Sequence, residues 1–183
     1  LKIKWFSQAS IDMVEDLELM KLMNESGCLG NVVGFESINE ESLRQVSKEQ
    51  NYKNFDFYKR EIEIMKDYNL QNWAAFTLGY DFDTVDSIKR TTEFAIENKF
   101  AFAAFNILMP YPDTAFYKLL ENENRLLYDG KWWLHDEYRF NHASFIPKNM
   151  TADQLTEAAF EARKEFNSLK SIIYRSFDPK THM

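Results

Sequence analysis

The stretches that decide the fold are NVVGFES at 31–37, WAAFTLGY at 73–80 and FAAFNILM at 102–109. Each is short, ends in turn or polar residues, and is built from side chains that suit a pleated surface. Successive side chains on a strand point to opposite faces, so each stretch splits in two. Val33 and Phe35 oppose Gly34 and Glu36; Phe76 and Leu78 oppose Ala75, Thr77 and Gly79; Phe105 and Ile107 oppose Ala104, Asn106 and Leu108. The bulky set suits packing against helices. The other set is too small and too polar to fill a barrel with branched side chains, and so leaves room for a ligand. A plainer reading stays open beside it, in which Gly34 and Gly79 only permit close packing and Glu36 caps a neighbouring helix.

Helical patterns separate these strands. A first strand is expected over 3–9, followed by a helix that Asp12 caps and Gly27 ends. Asn39 opens a short helix to about 47, and Phe55, Tyr58, Ile62 and Met65 mark one face of a helix over 54–68. Asp83 is expected to cap a helix whose buried stripe is Val85, Ile88, Thr92 and Ala95. Pro110 and Pro112 stop the fourth strand, and Thr114 starts another helix. Strand–helix alternation of this kind predicts an α/β fold with parallel strands and right-handed crossovers. In parallel barrels the active site lies at the C-terminal strand ends, where Glu36, Ser37, Gly79, Asp81, Asn106 and Tyr111 fall.

Past Arg125 the pattern changes. Residues 126–150 carry Trp132, Trp133, His135, Tyr138 and Phe140 in irregular order, as a packed loop would. Thr151 and Gln154 form a capping box ahead of an apolar stripe through Leu155, Ala159, Ala162, Phe166, Leu169 and Ile173. A frayed tail is expected from Phe177. The chain thus divides into four strand–helix units over 1–125 and a loop with a helical extension over 126–183.

Composition limits the function classes. The 183 residues suffice for one domain with a sizeable core. No apolar run approaches the roughly 20 residues that span a membrane. Lys and Arg number 22 against 29 Asp and Glu, a net charge of −7 with no basic stripe, which argues against nucleic acid. A single cysteine, Cys28, permits no internal disulfide or cysteine-only metal site, and a reducing, cytoplasmic setting is the expectation. Cys28 follows a helix end and reads as structural, and His135 and His142 stand without a ligand cluster. The N-terminus lacks an initiator Met and a signal-peptide pattern and reads as a strand entered mid-stream, so a fragment is expected.

Three groups of residues carry a family resemblance. The first is Ser7 to Ile11 with the helix ending at Gly27 and Cys28. The second is Val33-Gly34-Phe35-Glu36-Ser37 with Asn39, Glu41, Ser42, Leu43, Lys48 and Asn51. The third is Leu78-Gly79-Tyr80-Asp81 with Asp83 and Thr84, then Pro110-Tyr111-Pro112 with Thr114. In order and spacing they resemble the later strands of the radical S-adenosylmethionine enzymes, in the branch whose members often carry an N-terminal cobalamin-binding domain. The segment from Arg125 to Thr151 and the helix ending near Tyr174 and Arg175 resemble that branch's C-terminal extension. The resemblance covers nearly the whole chain.

It implies the C-terminal part of a partial (β/α)6 TIM-like barrel, with the first two strands and a CxxxCxxC loop for a 4Fe-4S cluster upstream. It also implies reductive cleavage of S-adenosylmethionine, which a chain without that loop would not perform alone. Glu36 resembles the position that meets the cofactor's ribose, Asp81 one with a similar task, and Lys48 the basic residue that meets the methionine carboxylate. Lys48 reads equally as a solvated lysine at a helix end. Gln8, Ser10 and Asn106 are lumen candidates beside Gly34 and Gly79, and Tyr111 and Trp132 border either the substrate or the core. Asp113 departs from the glycine common in the family's Pro-Tyr-Pro-Gly-Thr turn, which bears on that turn's shape. The partners implied are the N-terminal part of the same enzyme and a small-molecule substrate. The first strand would lack its neighbour, so the isolated chain is expected to self-associate. The alternatives are a non-catalytic ligand- or partner-binding module on a degenerate barrel, and an unrelated α/β barrel enzyme.

Overall fold

A computed structural model describes residues 3–45 and 58–178; Lys48, Asn51 and Phe55 lie outside the described residues. Four strands form one sheet: β1 (Trp5–Ala9), β2 (Cys28–Glu36), β3 (Gln71–Leu78) and β4 (Phe102–Ile107). All neighbours are parallel and the spatial order is β1-β2-β3-β4. Each crossover therefore steps the same way, and right-handed connections that step one way place their helices on one face.

Burial follows that rule. Along β3 each residue in turn is half-buried or buried, with Ala74, Phe76 and Leu78 on the buried side. Val33 and Phe35 of β2 and Ala103, Phe105 and Ile107 of β4 share that side. The core there is aromatic: Phe35 meets Tyr58 at 5.0 Å and Phe100 at 5.1 Å between ring centroids, and Phe76 stacks on Phe105 at 5.6 Å.

The helices that follow the strands are α1 (Leu17–Ser26), α2 (Glu40–Gln45), α3 (Tyr58–Asp67), α4 (Val85–Glu97) and α5 (Ala115–Asn122). Two expected caps move. Residues Ile11–Glu15 form a 3₁₀ turn, so Asp16 rather than Asp12 caps α1, accepting from Leu19 N at 2.9 Å. Thr84 rather than Asp83 caps α4, in a capping box with Ser87. Asp83 is buried one residue earlier, and Val85 is exposed. Gly27 ends α1 in the left-handed conformation (φ 95°); a Cβ there would stand 2.6 Å from the Ile3 carbonyl oxygen, so glycine is required.

The extension runs back along β4. Helix α6 (Ala152–Phe166) opens on the expected Thr151–Gln154 box and packs against α4 and β4. Arg163 donates to the Phe105 carbonyl from Nε at 3.0 Å and Nη2 at 2.6 Å. The apolar stripe stops at Phe166, because Ser168 caps a separate helix α7 (Leu169–Ser176) on which Leu169 and Ile173 are exposed. Arg175 lies 3.7 Å from the Phe166 ring centroid and donates to the Phe100 carbonyl at 2.7 Å. The tail does not fray at Phe177: Asp178 is buried and pairs with the buried Lys66 at 3.2 Å. Among the described residues no helix is long and apolar enough to cross a membrane.

Candidate functional site

Among the described residues the second face of the sheet is half-buried to exposed along its length. Strand register lines up three rows of side chains across it. Val32, Trp73 and Phe102 are register partners near the strand starts, with Phe6 of β1 4.9 Å from Trp73. The next row is Gly34, Ala75 and Ala104, small throughout. Beyond it Thr77 and Asn106 are partners, and a register shift between Gly34 and Glu36 brings the Glu36 carboxylate to Thr77. Thr77 Oγ1 donates to Glu36 Oε2 at 2.8 Å.

Glu36 is half-buried and left-handed (φ 62°), a conformation that costs a residue with a Cβ of order 1–3 kcal/mol and concentrates at functional sites. Tyr80 is buried beside it: desolvation pushes its phenol well up, and the Glu36 charge adds to that. Glu36, Thr77, Tyr80 and Asn106 thus place a carboxylate, a hydroxyl, a phenol and an amide at the C-terminal strand ends, above a row of small residues. Gln8 and Ser10 are exposed at the end of β1.

Two candidates sit differently. Gly79 leaves the strand parity in a left-handed turn (φ 104°), where an added Cβ would stand 2.7 Å from Leu155 and 3.2 Å from Phe145; its place is beneath the extension. Asp81 is buried and accepts from Arg125 Nη2 at 2.9 Å and from Lys148 Nζ at 2.8 Å. Asn149 Nδ2 donates to its backbone carbonyl at 2.7 Å. Desolvation alone would raise the Asp81 carboxyl, but the bonds from Lys148 and Arg125 hold it below its ordinary value. Arg125 also donates to the Ile146 carbonyl at 2.7 Å, so this cluster joins the end of β3 to the extension. Asp83 ties the turn from within, accepting from the backbone N–H groups of Gly79 and Tyr80 and from Ser42. Burial pushes its carboxyl up.

Beyond β4, Trp132 Nε1 donates to the Pro110 carbonyl at 3.1 Å. Trp132 meets Tyr111 at 6.1 Å and Tyr138 at 5.1 Å, and Tyr138 meets Tyr128 at 5.6 Å. Asp113 takes φ 63°, the left-handed geometry for which a glycine would be favoured. Cys28 is buried at the start of β2, the opposite end of the sheet from Glu36, and burial pushes its thiol up. Among the described residues no group of three or more His, Cys, Asp or Glu side chains is placed to hold a metal ion.

Thr77, Tyr80, Arg125 and Lys148 were not marked as site residues by the sequence. Parity placed Thr77 on the small face; nothing in the chain's spacing links Arg125 to a carboxylate 44 positions earlier.

No protein-family model matches the chain. Among known proteins it is similar to a bacteriochlorophyllide d C-12(1)-methyltransferase of Chlorobaculum tepidum, at 25% identity over 175 residues, 96% of this chain and 37% of that protein. It is also similar to an uncharacterized methyltransferase of Synechocystis sp., at 30% identity over 85% of this chain and 28% of that protein. A third relative is an anaerobic magnesium-protoporphyrin IX monomethyl ester cyclase of Cereibacter sphaeroides, at 21% identity over 94% of this chain and 27% of that protein. The chain spans no more than 37% of the length of the relatives it matches.

Proposed function

We propose that this chain forms later strand–helix units of a partial (β/α)6 barrel in a radical S-adenosylmethionine enzyme, and that the open face of its sheet is the cofactor wall. The observation that carries this reading is the graded face itself. The register-matched small residues Gly34, Ala75 and Ala104 lie below a rim of Glu36, Thr77 and Asn106. The low row suits the flat adenine, and a carboxylate at Glu36 accepts from both hydroxyls of a ribose. The similarity to two methyltransferases points to methyl transfer as the reaction class. Two relatives are named for substrates that are tetrapyrroles, and we extend that class to this chain: a flat macrocycle.

The residues present fit S-adenosylmethionine and do not fit an iron–sulfur cluster. Cys28 is a lone thiol, buried at the wrong end of the sheet, so a 4Fe-4S cluster and any cobalamin belong to a partner segment outside these residues. When bound, S-adenosylmethionine supplies the methyl group or the radical. The chain's own part is to bind and orient. Thr77 fixes one oxygen of Glu36, Asn106 and Gln8 flank the wall, and Asp81 holds the extension over the strand ends through Arg125 and Lys148. Lys48 remains our candidate for the methionine carboxylate.

Calorimetry on the full-length protein tests the reading. Glu36→Ala is expected to weaken S-adenosylmethionine binding by roughly 1–3 kcal/mol, the usual cost of charge-assisted hydrogen bonds, with little change in stability. Unchanged affinity with a large loss of thermal stability would make Glu36 a structural cap.

A further inference from the structure

We infer that a shallow concavity in the extension, lined by Tyr128, Asp129, Lys131, Leu134 and His135, receives one edge of a flat macrocycle that bears a carboxylate. The inference rests on the substrate class proposed above and adds the place and the residues that hold it.

The concavity measures about 310 Å³, enough for the edge of a large ring and not for the whole of it. Leu134 offers an apolar contact that is 72% exposed. A single exposed leucine means little; here it shares the lining with Tyr128 and His135, whose rings belong to an aromatic cluster. The Tyr128 ring lies 5.0 Å from His135 and 5.6 Å from Tyr138, which in turn packs on Trp132. The Trp132 bond to the Pro110 carbonyl anchors that cluster just beyond β4, at the same end of the sheet as Glu36 and Asn106. Tyr128 and Asp129 are both left-handed (φ 58° and 53°), an arrangement that persists only where surrounding packing imposes it. Beneath the shelf the Tyr138 hydroxyl is buried without a hydrogen-bond partner, an unsatisfied group of the kind that calls for a functional explanation.

The charges choose among flat ligands. Lys131 is exposed at the rim. The Glu137 backbone N–H donates to His135 Nδ1 at 3.3 Å, so a neutral His135 carries its proton on Nε2 and offers a donor. A carboxylate on the macrocycle edge meets both. Asp129 in the same lining opposes that charge, and so sets the orientation: the carboxylate lies toward Lys131 and His135.

The test uses the full-length protein with magnesium-protoporphyrin IX and its dimethyl ester, read by tetrapyrrole absorbance and tryptophan quenching. Leu134→Asp is expected to weaken both probes by about tenfold, the scale of one lost anchor contact. Lys131→Ala should weaken the free acid several-fold and leave the diester unchanged; Asp129→Asn should tighten the free acid. Leu169→Asp, an exposed apolar site at the other end of β4, should change nothing. Wild-type binding in both Leu134→Asp and Lys131→Ala would overturn the inference. So would equal weakening by Leu169→Asp, which marks adventitious adhesion. A change in sedimentation by Leu134→Asp without a change in probe binding would make the shelf a contact between copies, and also overturns it. S-adenosylmethionine calorimetry on the same proteins separates the two readings. Lost cofactor binding with an intact shelf sinks the proposed wall, while intact cofactor binding with a failed shelf sinks only this inference.

Discussion

The two faces of the sheet share the same four strands and both carry aromatic side chains, yet they do opposite things. On the helix-covered face Phe35, Phe76 and Phe105 are buried and pack on one another. On the open face Phe6 and Phe102 are 60% and 53% exposed, and the residues between them and the strand ends shrink to Gly34, Ala75 and Ala104. Hydrophobicity alone does not separate the faces. Size and its gradient do: one face is filled by its own side chains, and the other leaves a step that something else can occupy.

The sharpest way to break this comparison is to truncate each face in turn. Phe76→Ala removes a fully buried ring at the centre of the covered face and is expected to cost about 3–5 kcal/mol. Trp73→Ala, three residues away on the open face, is expected to cost roughly 1 kcal/mol, since its ring is half-exposed. Urea unfolding followed by circular dichroism measures both. Equal losses would mean that the open face is packed as tightly as the covered one.

A second test removes the clamp between the strand ends and the extension. Arg125→Ala removes the guanidinium from the buried Asp81, leaves it the half-exposed Lys148, and is expected to cost about 3 kcal/mol, the penalty for breaking a buried ion pair. Arg125→Lys should rescue little, because one ammonium cannot reach Asp81, Glu123 and the Ile146 carbonyl as the guanidinium does. The Asp81 carboxyl is held below its ordinary value in the native state. Its contribution is therefore complete above the unfolded carboxylate range near pH 4 and is lost as pH falls through the lowered native value. Thermal unfolding of wild type and Arg125→Ala should converge in acid.

The faces were legible in the sequence because strand parity is a strictly local rule, and Val33, Phe35, Phe76 and Phe105 obey it. The caps at Gly27, Thr114 and Thr151 were legible for the same reason. Asp12 and Asp83 misled because several residues near each helix start can cap, and only the course of the entering chain chooses between Asp12 and Asp16 or between Asp83 and Thr84. The stripe through Ile173 failed because periodicity continues across the break at Asn167 and Ser168. Ion pairs such as Asp81–Arg125 and Lys66–Asp178 join distant segments and leave no local signal. Strand parity named Glu36 and Asn106 as rim residues, whereas Thr77's bond to Glu36 depends on a register shift that no single strand encodes.

The open face also bears on association. Phe6 and Phe102 are exposed, and β1 lies at the edge of the sheet, a position that recruits other strands. We expect the isolated chain to self-associate through this side, with Phe6→Asp weakening the association by about tenfold, or roughly 1.4 kcal/mol. Sedimentation velocity across a concentration range decides it. A clean monomer at high concentration would mean that the face is covered by something within the chain.

The smallest effect lies in an exception on the covered side. Glu61 of α3 is only 6% exposed, and its Oε2 has no hydrogen-bond partner. The 3₁₀ turn brings Glu15 and Asp12 toward it, and Arg60 opposes them. Burial first, then the charges of Glu15 and Asp12, push its carboxyl up to about 7. A carboxyl that keeps its proton in the native state while the unfolded chain loses it near pH 4.3 has the opposite slope to Asp81. Its contribution is complete below the unfolded value and is lost as pH rises through about 7. Glu61→Gln keeps the protonated shape at every pH. It should leave stability unchanged near pH 4 and raise it by roughly 1–2 kcal/mol at pH 8, where the native protein must otherwise hold an unpaired charge. Unfolding curves at both pH values are sufficient, and a variant less stable than wild type at pH 8 would show that an ionised Glu61 is satisfied. Together with the convergence expected for Arg125→Ala, the pair of slopes tests one rule: of these two buried carboxylates, only the one that cations close over is tolerated as an ion.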